Sequence, residues 1–280
     1  MKRTLLACAA ALAVSPILWC QGADLQARLN ALRKDFDAAA SGNAGGLSRI
    51  ESGVNEACQS ASALPECQKF GLELATKTLQ QPQSAGRAAS AALLGALRQI
   101  QHQQQRSLTE LSAEVDFLYG SVQVDLNDFA AGIKSLEDAI AELESLGGSN
   151  IDKNVDALIK LAQAYKARAE YTKAEPLLMH ALDLLGGQKS QDMKAAVVWN
   201  ELGEIHEAEA DWQKAESYLQ RALEIRNKKS GPNSKETGAS WGSLGELHAN
   251  LGDFKAAETE YTRGLAIVDA AAPNSEEAAV

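Results

Sequence analysis

The residues by which this chain could do chemistry are its histidines, cysteines, clustered carboxylates and glycine-rich turns, and spacing decides what each can do. The histidines are His102, His180, His206 and His248. His206-Glu207 would open a helical His-Glu-x-x-His zinc motif, but Ala210 stands where the second histidine is required. Gly147-Gly148 and Gly186-Gly187 fall where helices would end, so they read as terminators and not as phosphate loops. Gly242-Ser243-Leu244-Gly245 lies within a helical stretch, where the strained turn of a nucleophilic serine cannot form. Carboxylates are plentiful, with 37 Asp and Glu in all, and that abundance singles out no pair for acid–base work in a desolvated cleft. The expectation is a chain with no catalytic residues, no metal ligands and no cofactor.

The cysteines speak instead of compartment. Met1-Lys2-Arg3 followed by the apolar run Thr4 to Trp19, with Pro16 near its end, reads as a secretory signal at residues 1–22. A cut after Gly22 or Ala23 is expected. The alternatives are an uncleaved anchor, for which the run is short, and a lipoprotein signal at Cys20, which Trp19 disfavours. Cys8 and Cys20 belong to or adjoin this segment, leaving Cys58 and Cys67 as the mature pair. Their eight intervening residues match neither a Cys-x-x-Cys redox motif nor the usual zinc spacing, so a disulfide across a turn at Ser62 to Pro65 is expected. The chain is thus expected to be exported, periplasmic or extracellular, from a bacterial cell.

Charge narrows the partners. Formal net charge is −10 with no Lys/Arg-rich stripe, which opposes nucleic-acid binding and attraction to anionic membranes. No membrane insertion is expected once the signal is removed. A basic protein or peptide is the partner that charge would steer here.

These side chains must be held by helices. Ala and Leu dominate, aromatics are 5%, and no runs of β-branched residues are present to build strands. An acid followed by an aromatic recurs at Asp128-Phe129, Glu170-Tyr171, Asp211-Trp212 and Asp253-Phe254, spaced 42, 41 and 42 residues apart. The acid suits the N-cap of a second helix and the aromatic starts its apolar stripe. Around it run Leu158-x2-Leu161-Ala162-x2-Tyr165, Trp199-x2-Leu202-Gly203-x2-His206 and Trp241-x2-Leu244-Gly245-x2-His248. These are followed by Ala174-x3-Leu178-x2-Ala181, Ala215-x3-Leu219-x2-Ala222 and Ala257-x3-Tyr261. Small residues at these positions let the two helices of a hairpin approach, and the large ones fill the groove between them.

This pattern resembles the tetratricopeptide repeat, in the longer kinesin-light-chain style because the period exceeds 34 residues. The resemblance covers about residues 113–271 and is weakest at its start, where Gly132 replaces the small alanine. It implies an all-α fold: a right-handed α-α superhelical solenoid of hairpins, preceded by an N-terminal helical cap. The expected layout is a signal at 1–22 and an N-terminal helical region with the disulfide at 23–110. The repeat array follows at 111–272, with units at 111–146 (degenerate), 155–186, 196–229 and 238–271. Residues 273–280 are then a tail or the start of a further repeat, since Pro273-Asn274-Ser275 echoes Pro232-Asn233-Ser234.

Within 23–110 three apolar stripes are legible: Leu25, Leu29, Leu32, Phe36; then Leu47, Ile50, Val54, Ala57; then Phe70, Leu72, Leu74, Ala75, Leu79. Ala88 through Leu111 reads as one long helix whose glutamines, Gln99 to Gln105, line an exposed face. His206 and His248 are expected to pack inside, as are Trp199, Trp212 and Trp241.

The resemblance also implies a function: a non-catalytic scaffold or adaptor in the cell envelope that takes a protein or peptide on its concave, first-helix face. Helical spacing places Ile159, Gln163 and Lys166, then Asn200, Glu204 and Glu207, then Gly242, Glu246 and Asn250 on that face. Of these Gln163, Lys166, Asn200, Glu204, Glu207, Glu246 and Asn250 are the candidate binding residues. Two rival readings are the recruitment arm of a larger enzyme or signalling protein and a self-associating structural solenoid.

Overall fold

The computed structural model describes residues 16–42, 44–58, 63–79, 84–103 and 109–271, with side chains from Asp24 onward. Residues 1–15 of the expected signal, the Ser62 position of the expected turn, Gln104, Gln105 and the tail 273–280 lie outside the described residues. The described chain is helical throughout: α1 (Pro16–Ala40), α2 (Ala44–Cys58), α3 (Leu64–Leu79), α4 (Ser84–Gln103), α5 (Glu110–Asp125), α6 (Phe129–Leu146), α7 (Ile151–Ala167), α8 (Tyr171–Leu184), α9 (Met193–Ala208), α10 (Trp212–Ser230), α11 (Lys235–Asn250) and α12 (Phe254–Ala271). Short 3₁₀ turns at Gly148–Asn150 and Gly187–Lys189 interrupt the connections. The helices fall into two compact units that divide between Leu146 and Gly147.

In the first unit, α1 to α6, the helices α1 to α5 close around one apolar cluster. Leu29, Leu32 and Phe36 of α1 meet Ile50 and Val54 of α2, Leu74 and Ala75 of α3, and Leu93, Leu94 and Leu97 of α4. Cys58 at the end of α2 and Cys67 in α3 are brought together with Cα atoms 5.9 Å apart, within the span of a disulfide. The hairpin α5/α6 belongs to this unit, and α5 packs on α3 and α4. Its helices cross where a Cβ on Gly132 would sit 2.7 Å from Val124 and 3.1 Å from the Gly120 carbonyl. The glycine that departs from the repeat pattern is therefore what lets this pair close.

Two expectations for this region are corrected. Ala88 to Leu111 is not one helix: α4 ends at Gln103, and Thr109 opens α5 by accepting from the Ser112 N–H while the Ser112 hydroxyl accepts from its own. A reciprocal cap satisfies the free donors of a new helix start and so marks a break. The glutamines are not all outward either. Gln101 is buried, donating to Asp116 of α5 and accepting from Gln68 of α3.

The second unit stacks three hairpins, α7/α8, α9/α10 and α11/α12. Gly203 shows why small residues recur at their crossings: a Cβ there would lie 2.7 Å from Leu219. The residues beyond a 34-residue period lengthen α10 to 19 residues, but after the 14-residue α8 they lie in the connection at 185–192, which holds the 3₁₀ turn Gly187–Lys189.

Each of four hairpin turns ends its first helix in the same way. Asn127, Ala169, Ala210 and Gly252 take left-handed φ values of 63°, 57°, 60° and 79°. The following acid sends its N–H back to the carbonyl five residues earlier, as Asp211 does to His206 and Asp253 to His248. Asp128, Asp211 and Asp253 then cap the second helix, accepting from the N–H groups of Ala131, Lys214 and Ala256. Glu170, one methylene longer, makes no such cap and pairs with Arg168 and Lys173 instead.

Candidate partner-binding face

The first helices α7, α9 and α11 turn their small and large apolar residues toward α8, α10 and α12, which leaves one polar edge of each helix beside the next. Leu158, Leu161, Leu202, Leu244 and Leu247 are buried, with Trp199 stacked on Tyr218 at 5.2 Å. Ile159, expected on the outward face, is buried instead: its apolar side chain turns into the core. A side chain at Gly242, by contrast, would meet nothing within 4 Å.

The polar residues bind one another across hairpins. Gln163 donates to Glu201 Oε1 at 2.6 Å, and Lys166 reaches both Glu201 and Glu204. Asn200 donates to Glu204 at 2.6 Å and accepts from Ser243 at 3.2 Å. Arg226, from α10, donates to Ser240 at 2.7 Å and touches Asn200 at 3.5 Å. Farther along, Asn250 donates to Glu207 at 2.6 Å. Glu246 stays exposed and is left without an ion pair among the described residues.

The row is therefore two things at once. Between α7 and α9 it is a cross-hairpin clamp, because Glu204 and Glu201 are already taken by Lys166. Between α9 and α11 it is an unbalanced acidic end. Burial works against the charge on Lys166, yet Glu201 and then Glu204 hold its proton above the usual lysine range. Glu207 is raised by burial, helped by Glu246 and Glu204 and opposed by the Asn250 hydrogen bond. Burial, then Glu246 and Glu207, also raise the Tyr261 phenol beside them. A carboxylate short of positive charge responds in this way.

Sequence reasoning missed Glu201, Arg226, Ser240 and Ser243. Glu201 and Ser243 hold the same place in successive hairpins, directly after Asn200 and Gly242. A charged residue there, flanked by Trp199 and Leu202, was the available signal for a buried partner. No group of three or more potential metal-ligating side chains is arranged to hold an ion among the described residues.

His206 and His248 occupy equivalent sites with different neighbours. His206 is buried, with Glu175 at 3.4 Å, Glu209 at 3.6 Å and Asp211 at 3.9 Å, and Tyr218 alongside. His248 is partly exposed and its Nδ1 lies 2.7 Å from Glu260.

Comparison with known proteins fits this geometry. The tetratricopeptide repeat model matches residues 194–270, which span α9 to α12. A putative kinesin light chain repeat protein of Podosopora anserina superposes with a TM-score of 0.61 at 18% identity, over 72% of this chain and 95% of that one. A Rap protein complexed with competence and sporulation factor superposes at 0.58 with 19% identity, over 88% of this chain and 66% of that one. The apo form of RapI also gives 0.58, at 13% identity over 91% and 79%. No curated protein matches the sequence significantly. Residues 194–270 carry the matched tetratricopeptide repeats, and the fold of the chain is that of the helical-hairpin solenoids.

Proposed function

We propose that this chain is a non-catalytic scaffold that binds a basic protein or peptide segment along α9 and α11. One observation carries the reading: the first-helix row holds four carboxylates, Glu201, Glu204, Glu207 and Glu246, against two cations, Lys166 and Arg226. The surplus lies at the α9–α11 end, where Glu207, Glu246 and Asn250 stand together. A Lys or Arg side chain would relieve the repulsion there, while Asn250 would offer a hydrogen bond to its backbone. That a Rap protein of similar fold is complexed with competence and sporulation factor supports a ligand-taking role for this architecture.

The test is direct binding of short Lys/Arg-containing and Asp/Glu-containing peptides to the whole chain and to Glu246→Lys. Glu246 is exposed and makes no clamp contact, so the variant keeps its melting temperature. Basic peptides should bind, lose about tenfold in affinity to the variant, and weaken with salt. Equal binding of both peptide classes, or indifference to the substitution, sinks the reading. Glu204→Lys is the poorer probe, since it would set a lysine against Lys166 and loosen the clamp.

Export belongs to the same proposal. The cationic start and apolar run support it, and so does the Cys58–Cys67 approach, which suits an oxidising compartment. A cut after Gly22 or Ala23 leaves α1 its whole core stripe, Leu29, Leu32 and Phe36. The N-terminal sequence of the chain recovered from an envelope fraction should begin at Ala23 or Asp24, and thiol labelling should find no free cysteine in it.

A further inference from the structure

We propose that two copies of this chain associate through α12, the two helices running antiparallel about a twofold axis. The second helices of the second unit carry matching apolar residues: Tyr171, Leu178 and Leu182 on α8; Trp212, Leu219 and Leu223 on α10; Phe254, Tyr261 and Leu265 on α12. On α8 and α10 this row is covered, because α9 packs on the one and α11 on the other. Leu178 and Leu182 are 0% exposed and Leu219 1%, while Leu223 and Trp212 pack against Leu244 and Leu247. On α12 the same row stands open, Phe254 at 73%, Leu265 at 42% and Tyr261 at 39%. Isolated exposed apolar residues are ordinary, but a row in register with two covered ones is a contact surface.

Charge identifies the occupant. Lys255, Thr262 and Asp269 are exposed and seven residues apart, so they form one rim beside Phe254 and Leu265. A twofold axis brings each rim against the same rim of the other copy in the opposite direction. With Thr262 at the axis, Lys255 faces Asp269 of the second copy and Asp269 faces its Lys255. Glu258 then faces the uncharged Ala266. A parallel pairing would set Lys255 on Lys255 and Asp269 on Asp269, and the helix dipoles oppose it as well. The remaining charges are engaged elsewhere: Glu260 with His248, and Arg263 over the Trp241 ring at 4.1 Å. A uniformly basic or acidic partner would satisfy one end of this rim, whereas a second copy satisfies both.

Sedimentation of the full chain across a concentration series tests this. A monomer–dimer equilibrium is expected, abolished by Leu265→Glu. Lys255→Glu and Asp269→Lys should each weaken the dimer about tenfold, and the double variant Lys255→Glu/Asp269→Lys should restore it. All the substituted positions are exposed, so melting temperatures should stay at the parent value and separate lost association from lost folding. A chain monomeric at every concentration overturns the proposal, as does a dimer indifferent to Leu265→Glu. A dimer lost with Leu265→Glu but without rescue in the double variant overturns the antiparallel register.

Discussion

The two units solve one problem, burying helix faces, by different means. The first gathers five helices, α1 to α5, around a common cluster in which Phe36, Leu94 and Leu97 are all but fully buried. It also draws charge inside: Asp116 is 0% exposed, bound at 2.5 Å to Arg98, which bridges on to Asp138. The second unit stacks hairpin on hairpin. Each hairpin buries a short row against the next, and on the first-helix edge Lys166 and Glu201 clamp neighbours together. A shared core couples every helix to every other, whereas a stack couples only nearest neighbours.

Truncation of one leucine in each unit is the sharpest way to break that contrast. Leu97→Ala and Leu219→Ala both empty sites at most 1% exposed, so each should cost about 2–5 kcal/mol. The distribution of damage should differ. Leu97→Ala is expected to lower amide-exchange protection in all of α1 to α5 together, and Leu219→Ala mainly in α9 to α12. Equal spread of the loss in both units would refute the distinction between shared core and stack.

Buried charge gives the next effect. Asp116 is raised from an ordinary 3.8 to about 6, by burial first, against the opposing pull of Arg98. Between those values the folded chain keeps a proton that the unfolded chain has lost, so stability falls as pH rises through that window. At about 1.4 kcal/mol per pKa unit the rise amounts to about 3 kcal/mol by pH 7. Asp116→Asn should therefore raise the neutral-pH stability, by up to that amount, and flatten the pH dependence between 4 and 6. Glu142, also raised by burial, would leave some residual slope. A less stable asparagine variant at pH 7 would mean that the ion pair with Arg98 outweighs desolvation.

The legibility of the sequence follows the same division. The hairpins of the second unit could be placed because period, capping acid and small-residue crossings recur, and a recurrence is visible without any knowledge of contacts. The first unit repeats nothing. Its stripes Leu29–Phe36 and Ile50–Ala57 announce helices, but the break between Gln103 and Thr109 hangs on one cap, and Gln101 looks like its exposed neighbours. On the first-helix face, Glu204 and Glu246 are equivalent in sequence. Only the lysine one hairpin back, Lys166, makes the first a structural clamp and leaves the second free. Ile159 failed for a related reason: facing outward along a helix does not tell whether a neighbouring helix lies there.

The recurrent turn offers a smaller, local test. Ala169 and Ala210 hold left-handed φ values that cost a residue with a Cβ roughly 1–2 kcal/mol, where Gly252 does so freely. Part of that is returned by the unfolded state, since glycine loses more entropy on folding. Ala210→Gly should raise stability by about 1 kcal/mol and Ala169→Gly by a similar amount, read from denaturant midpoints at constant slope. Gly252→Ala supplies the control, since it should act in the opposite sense at the equivalent turn of the last hairpin.

His248 gives the finest test of the stack. Partial burial works against the charged form of His248, but the Glu260 carboxylate 2.7 Å away holds its proton, and the balance raises it above the ordinary 6.5. The sign follows from linkage: the pair stabilises the last hairpin fully below 6.5 and loses that contribution as pH rises through the folded value. Glu260→Gln should remove the effect, and because the site is partly open to water the change should stay under about 1 kcal/mol. Glu216, from α10, adds to the same field, so Glu216→Gln should lower the His248 titration midpoint by less than Glu260→Gln does. Imidazole NMR titration reads both. Were the two substitutions to act equally, the charge on α10 would count as much as the hydrogen bond within α11/α12, and the coupling between hairpins would be stronger than nearest-neighbour packing alone provides.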